Sequence, residues 1–246
     1  MIKVKNFFDD NSSLYKYRLN YHELFFKEIS VKLGFNGSEY ICDLCCGNGQ
    51  LANGLIQYVG SVLGVDSSSE MLNLVKPHNR ISYLQADIDH ERISVDNTEP
   101  TFDFLFIGHA VHWIKQDSLE RIIKRNLNKN GSIVILGNHW DPNMSWVQKL
   151  YSFIEPYKSF DISDVGGQIK LSKCGFQLKN KIIYTYESIF NLQDVANFVQ
   201  SLARYGEKIS LNPSLFYKKL SKELLPYCNE NLELNARVIN WALCYQ

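Results

Sequence analysis

Apolar side chains between residues 39 and 136 gather in short runs rather than in long helical periods. Residues 39–44 (EYICDL), 61–65 (SVLGV), 80–85 (RISYLQ), 102–107 (FDFLFI) and 132–136 (SIVIL) are such runs. Runs of this kind, rich in β-branched and aromatic residues and bounded by turn residues, predict buried strands. Helical signals fill the gaps. One covers about 50–58. Ser67, Ser68 and Ser69 offer N-caps for a second helix through Met71, Leu72 and Val75, stopped by Pro77. Asp117 caps a third through Leu119, Ile122 and Ile123, and the turn Asn128-Lys129-Asn130-Gly131 closes it. Strands alternating with helices imply right-handed crossovers and a mostly parallel sheet. An open, doubly wound α/β sheet of this kind takes ligands beyond the carboxyl ends of its strands.

The pattern changes after Gly137. Residues 138–175 read as irregular and aromatic-rich, with Trp140, Trp146, Tyr151, Phe153, Tyr157 and Phe160. Residues 176–190 alternate like a strand with one exposed face. Leu192, Val195, Phe198, Val199, Leu202 and Tyr205 fall at helical spacing, and 236–245 suits a last strand. No internal repeat and no linker composition separates a second domain. Residues 138–175 and 191–230 are expected to be insertions that cap the ligand edge of the sheet.

The chain has 246 residues, 45% hydrophobic and 13% aromatic, which excludes a disordered chain. Basic and acidic side chains number 26 each, so the net charge is zero. That disfavours a surface devoted to nucleic acid or anionic lipid. Residues 1–100 carry 9 basic and 13 acidic side chains, and residues 101–246 carry 17 and 13. No apolar stretch is long enough to predict a membrane span, and the first residues lack a signal-peptide core. Six cysteines are present, three of them close together (Cys42, Cys45 and Cys46). Cys42 lies in a predicted strand and no second ligand pair accompanies the C-x-x-C, so no metal is expected. Reduced thiols and a cytoplasmic location are the expectation.

The most informative segment is DLCCGNGQ, residues 43–50. It follows a strand and opens a helix. Its glycines let the backbone approach a ligand, and the helix start offers unpaired N–H donors. Asp66 ends the second strand 17 residues after Gly49, where a carboxylate can accept both ribose hydroxyls of a nucleoside. Asp87 stands just past the third strand, where it can accept an adenine amino group, with Asp89 two residues on. Phe102 and Asp103 open the fourth strand, whose far end would face a reacting centre.

These motifs resemble the class I S-adenosylmethionine-dependent methyltransferases. The likeness runs from DLCCGNGQ through VLGVDSSSEMLNLV, YLQADID and FDFLFIGHAVHWI to LNKNGSIVIL. It is closer to the small-molecule branch that includes trans-aconitate-type methyltransferases. That branch carries a Tyr-Arg-Tyr segment near the N-terminus, matched by Tyr15, Tyr17, Arg18 and Tyr21, and a His-Trp matched by His112 and Trp113. Its cap helix is similar to VANFVQSLARYG. The resemblance implies a single domain over 1–246, with a doubly wound, mostly parallel, seven-stranded Rossmann-like sheet and helical cap insertions. Residues 1–37 would be N-terminal lid helices and 38–137 the cofactor-binding core.

The resemblance also implies S-adenosyl-L-methionine as cofactor and S-adenosyl-L-homocysteine as product. Tyr15, Arg18, Asp43, Cys45, Gly47, Asn48, Gly49, Gln50, Asp66, Ser67, Met71, Ala86, Asp87, Ile88 and His109 would contact the cofactor. Tyr21, His112, Trp113, His139 and Trp140 would line the acceptor pocket. Three positions depart from the pattern. Cys45 replaces the first glycine of the alternating set, His109 replaces the usual Gln before Ala-x-His-Trp, and Asn130-Gly131 replaces a Gly-Gly turn. His109 follows the fourth strand and is the candidate general base, with the ordinary imidazole pKa of about 6.5 suited to that work.

The expected reaction is in-line displacement of the methyl group from sulfur by a small-molecule acceptor, with a carboxylate or hydroxyl oxygen favoured. Positioning can supply about 7–11 kcal/mol of the barrier reduction. A carboxylate needs no base; a hydroxyl or amine would use one. Alternatives are an acyl group on a carrier protein, a non-catalytic cofactor-binding scaffold and an NAD-dependent oxidoreductase. The last lacks the third glycine, since Ala52 stands there. No appended basic domain points to nucleic acid. A monomer or homodimer is expected. Residues 149–222 carry 11 basic and 6 acidic side chains, which favours an anionic acceptor. Lys170, Lys173, Lys179 and Lys181 read most simply as a solvated face.

Overall fold

The computed structural model describes residues 9–154, 165–202, 209 and 211–246. Tyr157, Phe160 and Tyr205 lie outside the described residues. The chain forms two compact units. An α/β unit comprises Tyr21–Gly137, Asp161–Tyr184 and Asn240–Gln246. A helical unit comprises Met1–Asn20, Asn138–Phe160 and Thr185–Ile239.

The strands are β1 (Tyr40–Leu44), β2 (Ser61–Asp66), β3 (Ile81–Gln85), β4 (Phe102–Gly108), β5 (Leu127–Trp140), β6 (Leu178–Asn191) and β7 (Glu233–Tyr245). They make one seven-stranded sheet in the order β3-β2-β1-β4-β5-β7-β6. The pairs β1·β2, β1·β4, β2·β3 and β4·β5 are parallel, in the doubly wound arrangement that the alternating signals predict. Gln177 and Gln246 exchange both backbone hydrogen bonds, the signature of an antiparallel pair, just outside β6 and β7.

Alternation along the strands builds two cores in the α/β unit, one on each face. Cys42, Leu44, Leu63, Val65, Leu105, Ile107, Ile133 and Ile135 pack in one. Ile41, Val62, Phe106, Val134 and Leu136 pack in the other with Phe25, Phe26 and Ile29. Those three belong to α1 (Glu23–Leu33), which His22 caps by accepting the Leu24 N–H and Gly34 ends in a left-handed conformation. The helical unit has its own core around Trp140, Trp146, Leu150, Val195, Val199 and Leu220.

Several expected boundaries move. The helix after the glycine turn is α2 (Gln50–Leu55), and the next is the single turn α3 (Ser69–Leu72), ending before Val75. Ser68, of the three serines, is the cap, accepting the Met71 N–H. In α4 (Gln116–Asn126) the capping position is Lys115, and Asp117 lies in the first turn, where its charge suits the helix dipole. Asn128–Gly131 is not a turn but part of β5. Three residues of β4, Phe102 to Phe104, face six of β5, Leu127 to Ser132. Asp103 anchors this irregularity, its carboxylate accepting from Asn128 Nδ2 at 2.7 Å and from the Tyr40 N–H at 2.9 Å. The stretch 138–175 is not irregular: it holds α5 (Ser145–Ile154) and α6 (Val165–Lys173). Beyond it come α7 (Leu192–Ser201) and α8 (Pro213–Leu224).

Candidate active site

The turn after β1 is tied to the end of β2. Cys46 donates its N–H to the Val65 carbonyl at 3.0 Å. The two oxygens of the Asp66 carboxylate accept the Gly47 N–H at 2.8 Å and the Ser68 N–H at 2.9 Å. Cys45, Gly47 and Gly49 all take positive φ, at 58°, 56° and 75°. Gly49 is needed twice over, because a Cβ there would also strike the Tyr83 hydroxyl. Cys45 fills a left-handed position that favours glycine, so the substitution seen in the sequence stores backbone strain there. Burial and the nearby Asp66 carboxylate hold its thiol neutral.

Asp43 is fully buried at the end of β1. Its Oδ2 accepts the Ala52 N–H at 3.3 Å, while Oδ1 has no partner among the described residues. Burial pushes this carboxyl up to about 8, with the Asp66 charge adding to the shift and the Ala52 bond opposing it. Asn48, in the turn after β1, also keeps a buried Oδ1 with no partner among the described residues. A buried acceptor that no donor reaches among the described residues, at the end of β1 and again in the turn that follows, favours a hydrogen-bond donor there.

The β3 side is built differently. Ala86 donates its N–H to the Asp66 carbonyl at 2.9 Å, and Ala86, Ile88 and Met71 are buried. Ser67 accepts from Gln85 through its carbonyl. Asp87 caps its own turn, accepting the Asp89 N–H at 3.0 Å and meeting His90 Nδ1 at 2.9 Å. Asp89 instead accepts the Lys115 N–H at 3.1 Å.

At the carboxyl end of β4, His109 is exposed and has φ 54°, a strained value for a non-glycine residue. Its N–H reaches the Leu136 carbonyl at 3.0 Å, and its ring stacks on Tyr21 with centroids 6.3 Å apart. Gly137 leaves room for the imidazole: a Cβ there would lie 2.8 Å from His109 Cε1 and 2.7 Å from the Trp241 ring. Exposed His112 and Trp113 follow, their rings 4.5 Å apart. Lys170 on α6 is not merely a solvated side chain. Its Nζ donates to the Val111 carbonyl at 2.8 Å and to the Ile114 carbonyl, clamping the His112–Trp113 turn.

The remaining predicted site residues belong to the helical unit. Arg18 donates to the Ser201 carbonyl at 2.8 Å and lies over the Tyr15 ring. His139 is buried against the Trp140 carbonyl, and burial lowers its pKa. Trp140 is 1% exposed, packed by Trp146, Phe190 and Phe198, so it is a core residue rather than a presented one. The basic excess of 149–222 is also partly committed, since Lys149 pairs with Glu223 at 2.6 Å. This unit contains an apolar cavity of ≈ 310 Å³ lined by Phe153, Ile154, Ile209, Leu215 and Phe216, with Asn212 and Lys219.

Sequence reasoning missed Trp241, Gly137, Tyr83 and Lys170. Each acts through a contact between distant segments, and only Gly137, a glycine ending a strand run, left a local signal.

The seven-stranded sheet with its flanking helices is a Rossmann-like fold. Residues 41–131 match the family described as a methyltransferase domain. The chain is 32% identical over 119 residues to a demethylmenaquinone methyltransferase of Lactobacillus johnsonii, covering 46% of this chain and 47% of that one. It is 30% identical over 147 residues to a 2-phytyl-1,4-naphthoquinone methyltransferase of Nostoc punctiforme, covering 54% and 64%. The matched region thus spans about half to two thirds of these two relatives. A candidate type II methyltransferase from Anaeromyxobacter dehalogenans shares the fold at TM-score 0.68 and 16% identity, over 93% of this chain and 96% of that one. So does a methyltransferase from Geobacter sulfurreducens, solved with S-adenosyl-L-homocysteine, at TM-score 0.52 and 13% identity over 100% and 99%. The two sequence relatives are named for quinones and not for trans-aconitate. Among the described residues no helix is long and apolar enough to cross a membrane.

Proposed function

We propose that this chain is an S-adenosylmethionine-dependent methyltransferase acting on a small molecule. The observation that carries this reading is the strained turn 45–49, pinned to Asp66, with the buried Oδ1 atoms of Asp43 before it and Asn48 within it lacking partners among the described residues. The turn offers backbone close approach, a carboxylate at the ribose position and acceptors for a cationic amino group. The residues present therefore fit the cofactor. Asp66 and the turn backbone would hold its nucleoside, and Met71, Ala86 and Ile88 give apolar surface for the base.

The cofactor supplies an activated methyl group on a sulfonium. The protein's task is to hold an acceptor in line with the leaving sulfur, which accounts for about 7–11 kcal/mol of the barrier. Tyr21 and His109 offer aromatic surface at the carboxyl end of β4, backed by the buried Trp241 ring beside Gly137. A hydroxyl or carboxylate oxygen is the favoured nucleophile, and His109 would take the proton of a hydroxyl. A ring carbon of a quinol is the second reading, favoured by those aromatic walls and by the names of the quinone-methylating relatives. The test is formation of S-adenosylhomocysteine on a panel of small carboxylic acids and hydroquinones. Failure to bind S-adenosylhomocysteine by calorimetry would overturn the reading. With a hydroxyl acceptor, His109→Ala lowers kcat by roughly 10²–10⁴; with a carboxylate it leaves kcat nearly unchanged.

A further inference from the structure

Asp43 and Asn48 present two buried oxygens that no donor satisfies among the described residues. Leaving an acceptor buried and unpaired is costly, and a carboxylate far more so than an amide oxygen. The ionisable groups acting on Asp43 are Cys42 on its own strand, Cys45 and Cys46 in the turn, Asp66 at the end of β2 and Tyr83 on β3. None of these is a cation. Among the described residues the hydrogen bond to the carboxyl comes from the Ala52 N–H, at a long 3.3 Å.

We propose that the cofactor site is proton-linked: Asp43 stands as the neutral acid in the ligand-free protein and ionises when a cationic donor arrives beside it. This rests on the turn being the cofactor site. The linkage follows from what surrounds Asp43. Among the described residues no cation faces Asp43 and no donor reaches Oδ1, so burial keeps the carboxyl protonated up to about pH 8. An ammonium group placed at the orphan oxygens supplies both. The carboxyl O–H then breaks, its proton passes to solvent, and an ion pair replaces a neutral acid. Binding therefore releases a proton below about pH 8, and affinity rises up to about tenfold per pH unit until it levels above that value.

The experiment is calorimetric titration of the full chain with S-adenosylhomocysteine at pH 7 in phosphate and in Tris. These buffers differ widely in ionisation enthalpy, so a released proton makes the observed heat depend on the buffer. The expected result is release approaching one proton, and none with 5′-methylthioadenosine, which has the nucleoside but no ammonium. Asp43→Asn should bind with no buffer dependence and a flat pH profile. If that variant does not fold, the contrast between the two ligands on the unaltered protein decides. Binding of S-adenosylhomocysteine with equal heats in both buffers overturns the linkage and leaves the cofactor reading intact. No binding at all overturns both.

Discussion

Gly47 donates its backbone N–H to the Asp66 carboxylate across 2.8 Å, joining the glycine turn after β1 to the end of β2. The other oxygen of that carboxylate holds the Ser68 N–H at 2.9 Å. Asp66 thus shapes the turn, and in the proposed function it also holds the ribose. Replacing it by alanine removes charge-assisted hydrogen bonds worth about 1.5–3 kcal/mol. Affinity for S-adenosylhomocysteine should fall roughly 10- to 150-fold in calorimetry.

Cys45 carries a side chain at φ 58°, where glycine is at ease. Cys45→Gly relieves the strain and loses some of that gain to the freer unfolded chain, for a net stabilisation of about 1 kcal/mol. The melting temperature should rise by roughly 2–4 °C. Cys45→Val, branched at Cβ, should lower it.

Gly49 faces both a backbone and a packing demand. Gly49→Ala forces a Cβ onto the Tyr83 hydroxyl in a left-handed conformation. Lower stability and weakened cofactor binding are expected together. Tyr83→Phe in the same chain should recover part of the stability but not all, because the φ strain persists; thermal unfolding of the two variants reads the difference.

Asp43 also links folding to pH. Its folded pKa, about 8, lies above the ordinary carboxylate value, so the folded state binds more protons than the unfolded state between roughly pH 4 and pH 8. Its contribution to stability is fully present below pH 4 and is lost as pH rises through that window. The slope is at most about 1.4 kcal/mol per pH unit. Urea unfolding of the ligand-free protein at pH 5, 6 and 7 should show this loss, and Asp43→Asn should flatten it.

Lys170 holds the carbonyls on either side of His112 and Trp113. Lys170→Met keeps the stem and removes the ammonium. Amides 111–116 should exchange faster with deuterium, by about 10-fold if the clamp is worth about 1.4 kcal/mol. The KM for the acceptor should rise with little change in S-adenosylhomocysteine affinity.

The sequence by itself determined the alternation of strands and helices and the turn between β1 and α2. Those signals are local: short apolar runs, a serine cap, and glycines beside an acidic residue. It also showed that Cys45 and His109 occupy unusual places. Tertiary structure alone decided what those places cost, because positive φ at both positions depends on the path the chain is made to follow. Trp140 and Lys170 show the same division. As letters they read as a pocket aromatic and a solvated cation. Packing makes one a core residue and the other a clamp, because burial and hydrogen bonding depend on segments far away in the chain. The acidity of Asp43 belongs here too, since it is set by full burial and the nearby Asp66 carboxylate, neither of which a single strand encodes.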